Sequence, residues 1–346
     1  MTSADPVAPT LKDIAAASGL SVAAVSKVLN DRKGVSAESR ARVLRVIEEL
    51  GYRGRAGRAA PAGGGGTATL VTLDRYLTSN NFYGEIIRGI LEGAAAAGIR
   101  IDIDIGASAG AATADAAMFA NANPSAVVLV GIDSPEIIDR LADHGCPAVI
   151  VNGMDSRMRI PSVSPDFYFG GYAATRHLLD LGHRDIVHVT HVYRKSISLR
   201  LEGFRDALTD AGIAFDPARH VLDLGDPLAI SLDARPRIAD WLSRTKRRPT
   251  ALFCAADIVA LAALQAASAA GIRVPEDLSI MGFDGLPIGA HASPPLTTMI
   301  IDRYEVGRIA VRLLQERMSG AEGAAQRIAT GVQLIVRRST AAPGKR

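Results

Sequence analysis

Basic side chains are concentrated in the first 60 residues of the chain. This segment holds ten Lys or Arg against six Asp or Glu, a net charge of +4, whereas the complete 346-residue chain carries +3. A basic segment joined to a nearly neutral body is typical of a module that binds a polyanion. Lys27 is a candidate contact, because an ammonium group can donate to a guanine edge or to a phosphate.

Three short helices are predicted to position these side chains. Thr10 opens the first helix and Gly19 ends it, Ser21 caps a second helix that runs to Asn30, and a third ends at Gly51. A turn of about three or four residues around Gly19 forces the first two helices to cross steeply. The second helix can then project into a DNA major groove, which predicts an all-α helix-turn-helix headpiece over residues 1–53.

A linker is predicted between this headpiece and the rest of the chain. Residues 54–66 consist only of Gly, Ala, Arg and Pro, and they end in four consecutive glycines. Such a composition does not build a packed core and is typical of a flexible connection. The remaining body is expected to fold separately, over residues 67–340.

The body shows an alternation of two kinds of segment. Apolar, β-rich runs alternate with helical segments from residue 67, and the alternation restarts after about residue 161. This pattern predicts an α/β fold with doubly wound parallel sheets in two lobes. Ligands of such folds bind beyond the carboxyl ends of the strands, so the cleft between the lobes is the expected small-molecule site.

Several other classes of protein fit the sequence less well. Cys146 and Cys254 lack disulfide or metal-ligand spacing, so neither a metal nor another cofactor is expected. No signal-peptide pattern or long apolar run is visible, which predicts a cytoplasmic protein rather than a membrane protein or an exported solute-binding protein. An enzyme on a Rossmann-like sheet is the other alternative. It is not favoured, because no Gly-x-Gly-x-x-Gly follows a strand and no nucleophile elbow is present.

The headpiece resembles that of the LacI/GalR family of bacterial transcription regulators. The resemblance rests on TLKDIAAASGLSVAAVSKVLN at residues 10–30, VSAESR at 35–40 and EELGY at 48–52. Further landmarks follow in the family's order, among them LGHR at 181–184, VPED at 274–277 and GFD at 282–284. The resemblance therefore extends over nearly the whole chain.

The resemblance implies a homodimeric transcription repressor that binds double-stranded operator DNA under the control of a small-molecule effector. The effector would be a sugar, a sugar phosphate or a nucleobase-like molecule, held in a core like that of periplasmic sugar-binding proteins. In such a core the chain crosses between the lobes three times, here predicted near residues 160–164, 293–299 and 320–327. The N-lobe would comprise residues 67–162 and 296–322, and the C-lobe residues 163–295 and 323–340.

The resemblance also assigns DNA contacts by position. Val22 and Ala23 match the base-contacting pair, Lys27 matches a later base contact, and Thr10, Ser21 and Ser26 match positions that hold phosphates. Because Val22 and Ala23 offer only apolar contact, Lys27 would carry much of the polar readout. The predicted DNA-binding residues are Thr10, Ser21, Val22, Ala23, Ser26, Lys27, Asn30, Arg55 and Arg58.

The linker departs from the family pattern. Members usually have Tyr-x-Pro-Asn followed by a short helix whose Leu wedges into the minor groove, whereas this chain has YRGR at 52–55 and Pro61 at the wedge position. A glycine-rich segment also loses more entropy when it orders into a helix. An ordered hinge helix is therefore not expected, although Arg55 and Arg58 could enter a narrow minor groove or bind phosphates.

Effector contacts are assigned in the same way. Arg200 would offer a planar donor fork to hydroxyls or a carboxylate, Asp257 would accept from hydroxyls, and Phe82 could stack on a ring. Ala256 stands where the family often has Asn, so one polar contact is missing. Arg194 and Lys195 add positive charge near Arg200, so an anionic effector is one of the alternatives. The predicted effector-binding residues are Asp74, Asn81, Phe82, Asp166, Arg200, Asp257 and Asp284.

Overall fold

In the computed structural model the chain divides into two compact units, Met1–Gly64 and Gly65–Arg346. The structure describes residues 17–20, 36, 39, 42, 43, 45, 46, 66–73, 76, 81–106, 124–191, 194–225, 234–245 and 247–344. In the first unit Gly19 has a φ of 68° directly after helical residues, and the Ser39 amide donates to Ser36 Oγ at 3.2 Å. These are the predicted end of the first helix and the predicted start of the third.

Two six-stranded sheets form the framework of the second unit. The first lobe contains β1 (Thr67–Leu73), β2 (Arg100–Gly106), β3 (Val127–Val130), β4 (Ala148–Val151), β5 (Ser162–Pro165) and β11 (Arg327–Thr330), with helices α1 (Asn81–Ala96), α2 (Pro135–His144) and α9 (Arg303–Met318). The second lobe contains β6 (Ile186–Thr190), β7 (Val221–Asp223), β8 (Ala251–Cys254), β9 (Ser279–Asp284), β10 (Thr297–Ile301) and β12 (Val332–Ile335). Its helices are α3 (Phe167–Asp180), α4 (Lys195–Asp210), α5 (Pro217–His220), α6 (Arg235–Arg244), α7 (Asp257–Ala269) and α8 (Pro287–Ala290).

The strand order of each sheet creates a topological switch point. The first sheet runs β11-β5-β4-β3-β1-β2, and all its pairings are parallel. The second runs β12-β10-β9-β8-β6-β7 and is parallel except where β10 meets β12. The order reverses between β1 and β3 and again between β6 and β8. The crevices for ligands are therefore expected beyond the carboxyl ends of those strands.

Buried apolar side chains hold the helices against the sheets. One cluster extends through both lobes and includes Ile86, Phe204, Phe283 and Met299. Two smaller clusters lie under the remaining helices, on α2 in the first lobe and on α6 and α7 in the second. Among the described residues, no helix is long and apolar enough to cross a membrane.

Glycines let the principal helix pairs approach closely. In the α3–α4 pair, a Cβ at Gly171 would collide with the Arg200 carbonyl, and one at Gly203 would collide with the Tyr168 carbonyl. A larger residue would force the two helices apart. These two glycines therefore set the position of Arg200 relative to the start of α3.

The chain crosses between the lobes after β5, after β10 and between β11 and β12. Helix α3 packs on strands of the second sheet, and α9 packs on strands of the first. The predicted crossings at 160–164, 293–299 and 320–327, and the lobe limits based on them, are therefore too early. The physical reason is that β5, β10 and β11 complete their pairing within one sheet before the chain leaves it.

Candidate functional site

Polar side chains from both lobes meet beyond the carboxyl ends of the strands. Asp133 follows β3, Asn152 follows β4, Arg194 follows β6 and Asp284 ends β9. The Arg194 guanidinium, in the second lobe, reaches acceptors on the first lobe, so Arg194 forms one cluster with Asp133, Asn152, Tyr76 and Tyr83. Its position matches the place where open parallel sheets bind small molecules.

Arg194 forms the densest set of polar contacts in this cluster. Its Nη1 donates to the Tyr83 hydroxyl at 2.6 Å and to the Tyr76 hydroxyl at 3.3 Å, and its Nη2 donates to the Asn152 carbonyl at 2.6 Å. Its Nε lies 3.4 Å from Asp133 Oδ2 in an ion pair. Only 7% of Arg194 is exposed, so these charge-assisted bonds are shielded from water.

Two tyrosines form an aromatic wall at the same place. The rings of Tyr76 and Tyr83 are stacked with centroids 4.1 Å apart, and both residues are buried. Gly131, directly after β3, has a φ of 70°, and a Cβ there would lie 2.7 Å from Tyr76 and 2.9 Å from Tyr83. Glycine at this position therefore permits the left-handed backbone of the turn and leaves the space that the two rings occupy. Phe82 packs edge-on against Tyr83, within the first-lobe core.

Asn152 combines backbone strain with an unused acceptor. Its φ is 56°, a left-handed conformation that asparagine tolerates better than most residues, and it is 4% exposed. Its Nδ2 donates to the Tyr83 hydroxyl at 2.7 Å, whereas its Oδ1 has no hydrogen-bond partner among the described residues. Strained residues and unsatisfied buried polar atoms concentrate at ligand sites.

Arg200 and Asp284, two of the predicted effector residues, lie next to each other. The Arg200 guanidinium carbon lies 4.6 Å from the Phe167 ring centroid and 4.0 Å from that of Phe283. Its Nη2 is 3.4 Å from Asp284 Oδ1, and its Nη1 donates to the Ala255 carbonyl. Burial raises the pKa of Asp284 to about 7, although the charge of Arg200 acts in the opposite direction.

Asp257 is brought close to Asp284 but is bonded into the protein. Its Oδ2 accepts from the Leu286 amide and its Oδ1 from the Thr298 hydroxyl, both at 2.6 Å. Burial raises its pKa to about 6 despite these bonds. Both oxygens of Asp257 therefore hold β10 and the loop after β9 against α7, and the predicted contact with an effector hydroxyl is untested.

The GFD sequence at 282–284 is explained by these contacts. A Cβ at Gly282 would collide with Asp257 Oδ1, so glycine admits the carboxylate. Phe283 packs on Arg200, and Asp284 pairs with the same guanidinium while holding a disfavoured φ of 121°. Each residue of the motif thus has a separate structural role around Arg200 and Asp257.

The remaining predicted residues are more dispersed. Asp166 caps α3, since its Oδ1 accepts from the Phe169 amide at 2.9 Å, and it borders a cavity of about 70 Å³ with Lys195 and Arg327. Asn81 is the first residue of α1, and its side chain lies outside the described residues. Also outside them lie Asp74 and the DNA-binding set Thr10, Ser21, Val22, Ala23, Ser26, Lys27, Asn30, Arg55 and Arg58.

The predicted site residues do not include four members of the cluster, which are Tyr76, Tyr83, Asp133 and Asn152. The fifth member, Arg194, is noted in the sequence only for its charge. A usable signal is present for three of the five, because a polar residue that follows a buried strand within a few positions faces the ligand crevice of this fold. Among the described residues, no group of three or more His, Cys, Asp or Glu could hold a metal ion.

Fold and site together define a two-lobed small-molecule receptor of the periplasmic-binding type, joined to a separate N-terminal unit. Residues 175–340 match the periplasmic binding protein-like domain, and residues 10–54 match the lacI family of bacterial regulatory proteins. The HTH-type transcriptional regulator DegA of Bacillus subtilis (strain 168) is 30% identical over 340 residues, which cover 96% of this chain and 98% of the relative. The chain belongs to the lacI family and is a DNA-binding transcription regulator.

Solved structures agree with this assignment. A complex of the transcriptional regulator CelR with cellobiose has a TM-score of 0.70 at 27% identity, covering 96% of this chain and 99% of the other. The lac repressor dimer bound to operator and the anti-inducer ONPF has a TM-score of 0.70 at 25% identity, with the same coverage. The predicted family and the predicted two-lobed α/β body with its helix-turn-helix headpiece are confirmed.

Proposed function

We propose that the cross-lobe cluster around Arg194 and Asn152 is the effector site of a transcription repressor. The observation that carries this proposal is the convergence of buried donors and acceptors from both lobes at the carboxyl ends of the strands. A molecule that contacts both lobes stabilises one lobe arrangement over another and thereby shifts a two-state equilibrium. The headpieces of a homodimer then gain or lose their fit to the operator.

The chemistry of the cluster suits a small polar ring. Asn152 Oδ1 is an acceptor that a hydroxyl or ring N–H would satisfy, the tyrosine pair offers an aromatic face, and the positive charge of Arg194 lies beside them. Sugars, sugar phosphates and nucleobases all meet these requirements. The complex of the similar regulator CelR contains cellobiose, which supports the sugar class.

For the DNA side, we retain the contacts predicted from the headpiece sequence. Lys27 would read a base edge, the apolar pair Val22 and Ala23 would pack against thymine methyl groups, and Arg55 and Arg58 would bind phosphates or a narrow minor groove. A dimer on operator DNA is the arrangement of the similar lac repressor. A regulator of this kind acts in the cytoplasm, where chromosomal DNA lies.

The effector site is tested with a thermal-shift screen of sugars, sugar phosphates and nucleobases on the full-length protein. A ligand at about 100 times its dissociation constant stabilises a protein by about 2.7 kcal/mol, which raises the Tm by about 5 °C or more. We expect Asn152→Ala to remove this shift and Asp180→Ala to keep it, because Asp180 lies in an exposed ion pair on α3. An unchanged shift in Asn152→Ala would place the effector elsewhere.

The DNA-binding part is tested separately with the chain's own upstream DNA. Fluorescence anisotropy at physiological salt compares this fragment with a random duplex of equal length, because salt sets the non-specific background. We expect the upstream fragment to bind at least about 1,000 times more tightly. Equal affinity for both duplexes would refute the proposal that this chain represses at that site.

A further inference from the structure

The Arg194 side chain connects the two lobes. Its guanidinium donates to Tyr83, Tyr76 and the Asn152 carbonyl and pairs with Asp133, all in the first lobe. Arg194 itself belongs to the second lobe, as the residue that precedes α4. One buried side chain thus makes four polar contacts between the lobes.

The backbone of Arg194 is also held by hydrogen bonds. Its carbonyl accepts from the amides of Ile197 and Ser198 at 3.0 and 3.1 Å, and Ser198 Oγ donates to the same oxygen at 3.3 Å. The side chain is therefore anchored at its base in α4 and at its tip in the first lobe. Relative motion of the lobes would have to break the bonds at one end.

The acceptors on the first lobe are held in place by contacts within that lobe. Asn152 Nδ2 holds the Tyr83 hydroxyl at 2.7 Å, the tyrosine rings are stacked, and Gly131 leaves room for both rings. A preorganised acceptor set loses little conformational entropy when it binds a guanidinium. Burial of the bonds strengthens them further, because little water competes for the groups.

We infer that Arg194 is a latch, a side chain whose cross-lobe bonds hold the two lobes together. The three crossing segments also connect the lobes and can act as hinges. The latch biases the lobe equilibrium toward the arrangement in which these cross-lobe bonds form. The inference goes beyond the proposed function, because it holds whichever effector the cleft recognises.

The test compares full-length wild type, Arg194→Met and Lys195→Met by hydrogen–deuterium exchange, with no small molecule added. Methionine keeps the apolar stem and removes the guanidinium. Lys195 is the matched control, because its ammonium pairs only with Glu202 of the same helix in the contacts that the structure describes. Peptides around residues 151–156 and 194–200 report on the cleft, and peptides within residues 260–269 of α7 report on the remote core.

In Arg194→Met we expect the cleft peptides to exchange about tenfold faster or more, the factor that corresponds to one lost hydrogen bond to a charged group. Peptides of α7 should not change, and Lys195→Met should match wild type throughout. Unchanged cleft exchange in Arg194→Met would overturn the latch. An equal rise in α7 would also overturn it, since that result means general destabilisation.

Tyr83→Phe repeats the test from the other lobe and serves if Arg194→Met does not fold. This variant keeps the stacked ring and removes the hydroxyl that accepts from Arg194 at 2.6 Å. We expect the same faster exchange in the cleft peptides and none in α7. Wild-type exchange in the cleft of Tyr83→Phe would contradict the inference.

Discussion

Replacing Asp284 by asparagine should change how the stability of the protein depends on pH. Burial raises the pKa of Asp284 from 3.8 to about 7. When the pH is below 3.8, the pKa of this group in the unfolded state, the carboxyl is protonated in both the folded and the unfolded state and contributes nothing to the pH dependence. Between 3.8 and about 7 the folded state holds a proton that the unfolded state has lost. Stability therefore falls as the pH rises through this window.

The size of the effect follows from the width of the window. The interval from about pH 5 to about pH 7 spans roughly two pH units, and each corresponds to about 1.36 kcal/mol, so wild type should lose about 3 kcal/mol from this group. An asparagine side chain does not titrate, so the Asp284→Asn variant lacks this loss. Asp257, whose pKa burial raises to about 6, contributes in the same direction in both proteins.

The assay is urea unfolding of wild type and Asp284→Asn at several values of pH between about 5 and 8. The expected result is a free-energy difference that moves in favour of the variant by about 3 kcal/mol as the pH rises. The difference at any single pH also contains the lost ion pair with Arg200, so only its slope is used. Asp180→Asn, at an exposed ion pair on α3, is the control. A flat difference for Asp284→Asn would refute the reasoning.

Three further predictions concern single contacts. Lys27→Ala should weaken operator binding by about 1 to 3 kcal/mol and relax discrimination at one base pair in a binding-site selection, whereas uniform weakening on every sequence would show a phosphate contact. Gly282→Ala should destabilise folding by about 1 to 3 kcal/mol in urea, because its Cβ collides with Asp257, whereas Gly84→Ala, with nothing within 4 Å, should be neutral or stabilising. Thr298→Val should cost about 1 to 3 kcal/mol, because Asp257 Oδ1 loses its hydroxyl donor, and an unchanged urea midpoint would contradict that role.

The fold can be predicted from the sequence because its signals are periodic and local. Buried strands such as VVLV at 127–130 and AVIV at 148–151 are continuous apolar runs, and the helices between them are long enough to show an apolar face. The crossing points are predicted too early because they carry no such pattern. A strand that ends one lobe looks the same in sequence as a strand that begins the next, and only the pairing partners distinguish them.

The candidate site can be predicted only in part. Arg200 and Asp284 follow from family positions, and the structure places them together, with Arg200 held between Phe167 and Phe283. The contacts of Arg194 cannot be predicted in the same way. Its acceptors come from α1, from the segment before it and from the loops after β3 and β4, which only folding of the first lobe brings together.

A positional rule recovers more of the cluster than residue-type matching does. Parallel strands place their carboxyl ends at one edge, so a polar residue directly after a buried strand cannot enter the apolar core and faces the crevice. Asn152 follows the fully buried β4, and Arg194 follows the fully buried β6 within a few residues. The rule needs only the strand ends, which the sequence predicts well. It identifies residues that face the crevice even where a chain departs from its family, as this one does at Ala256.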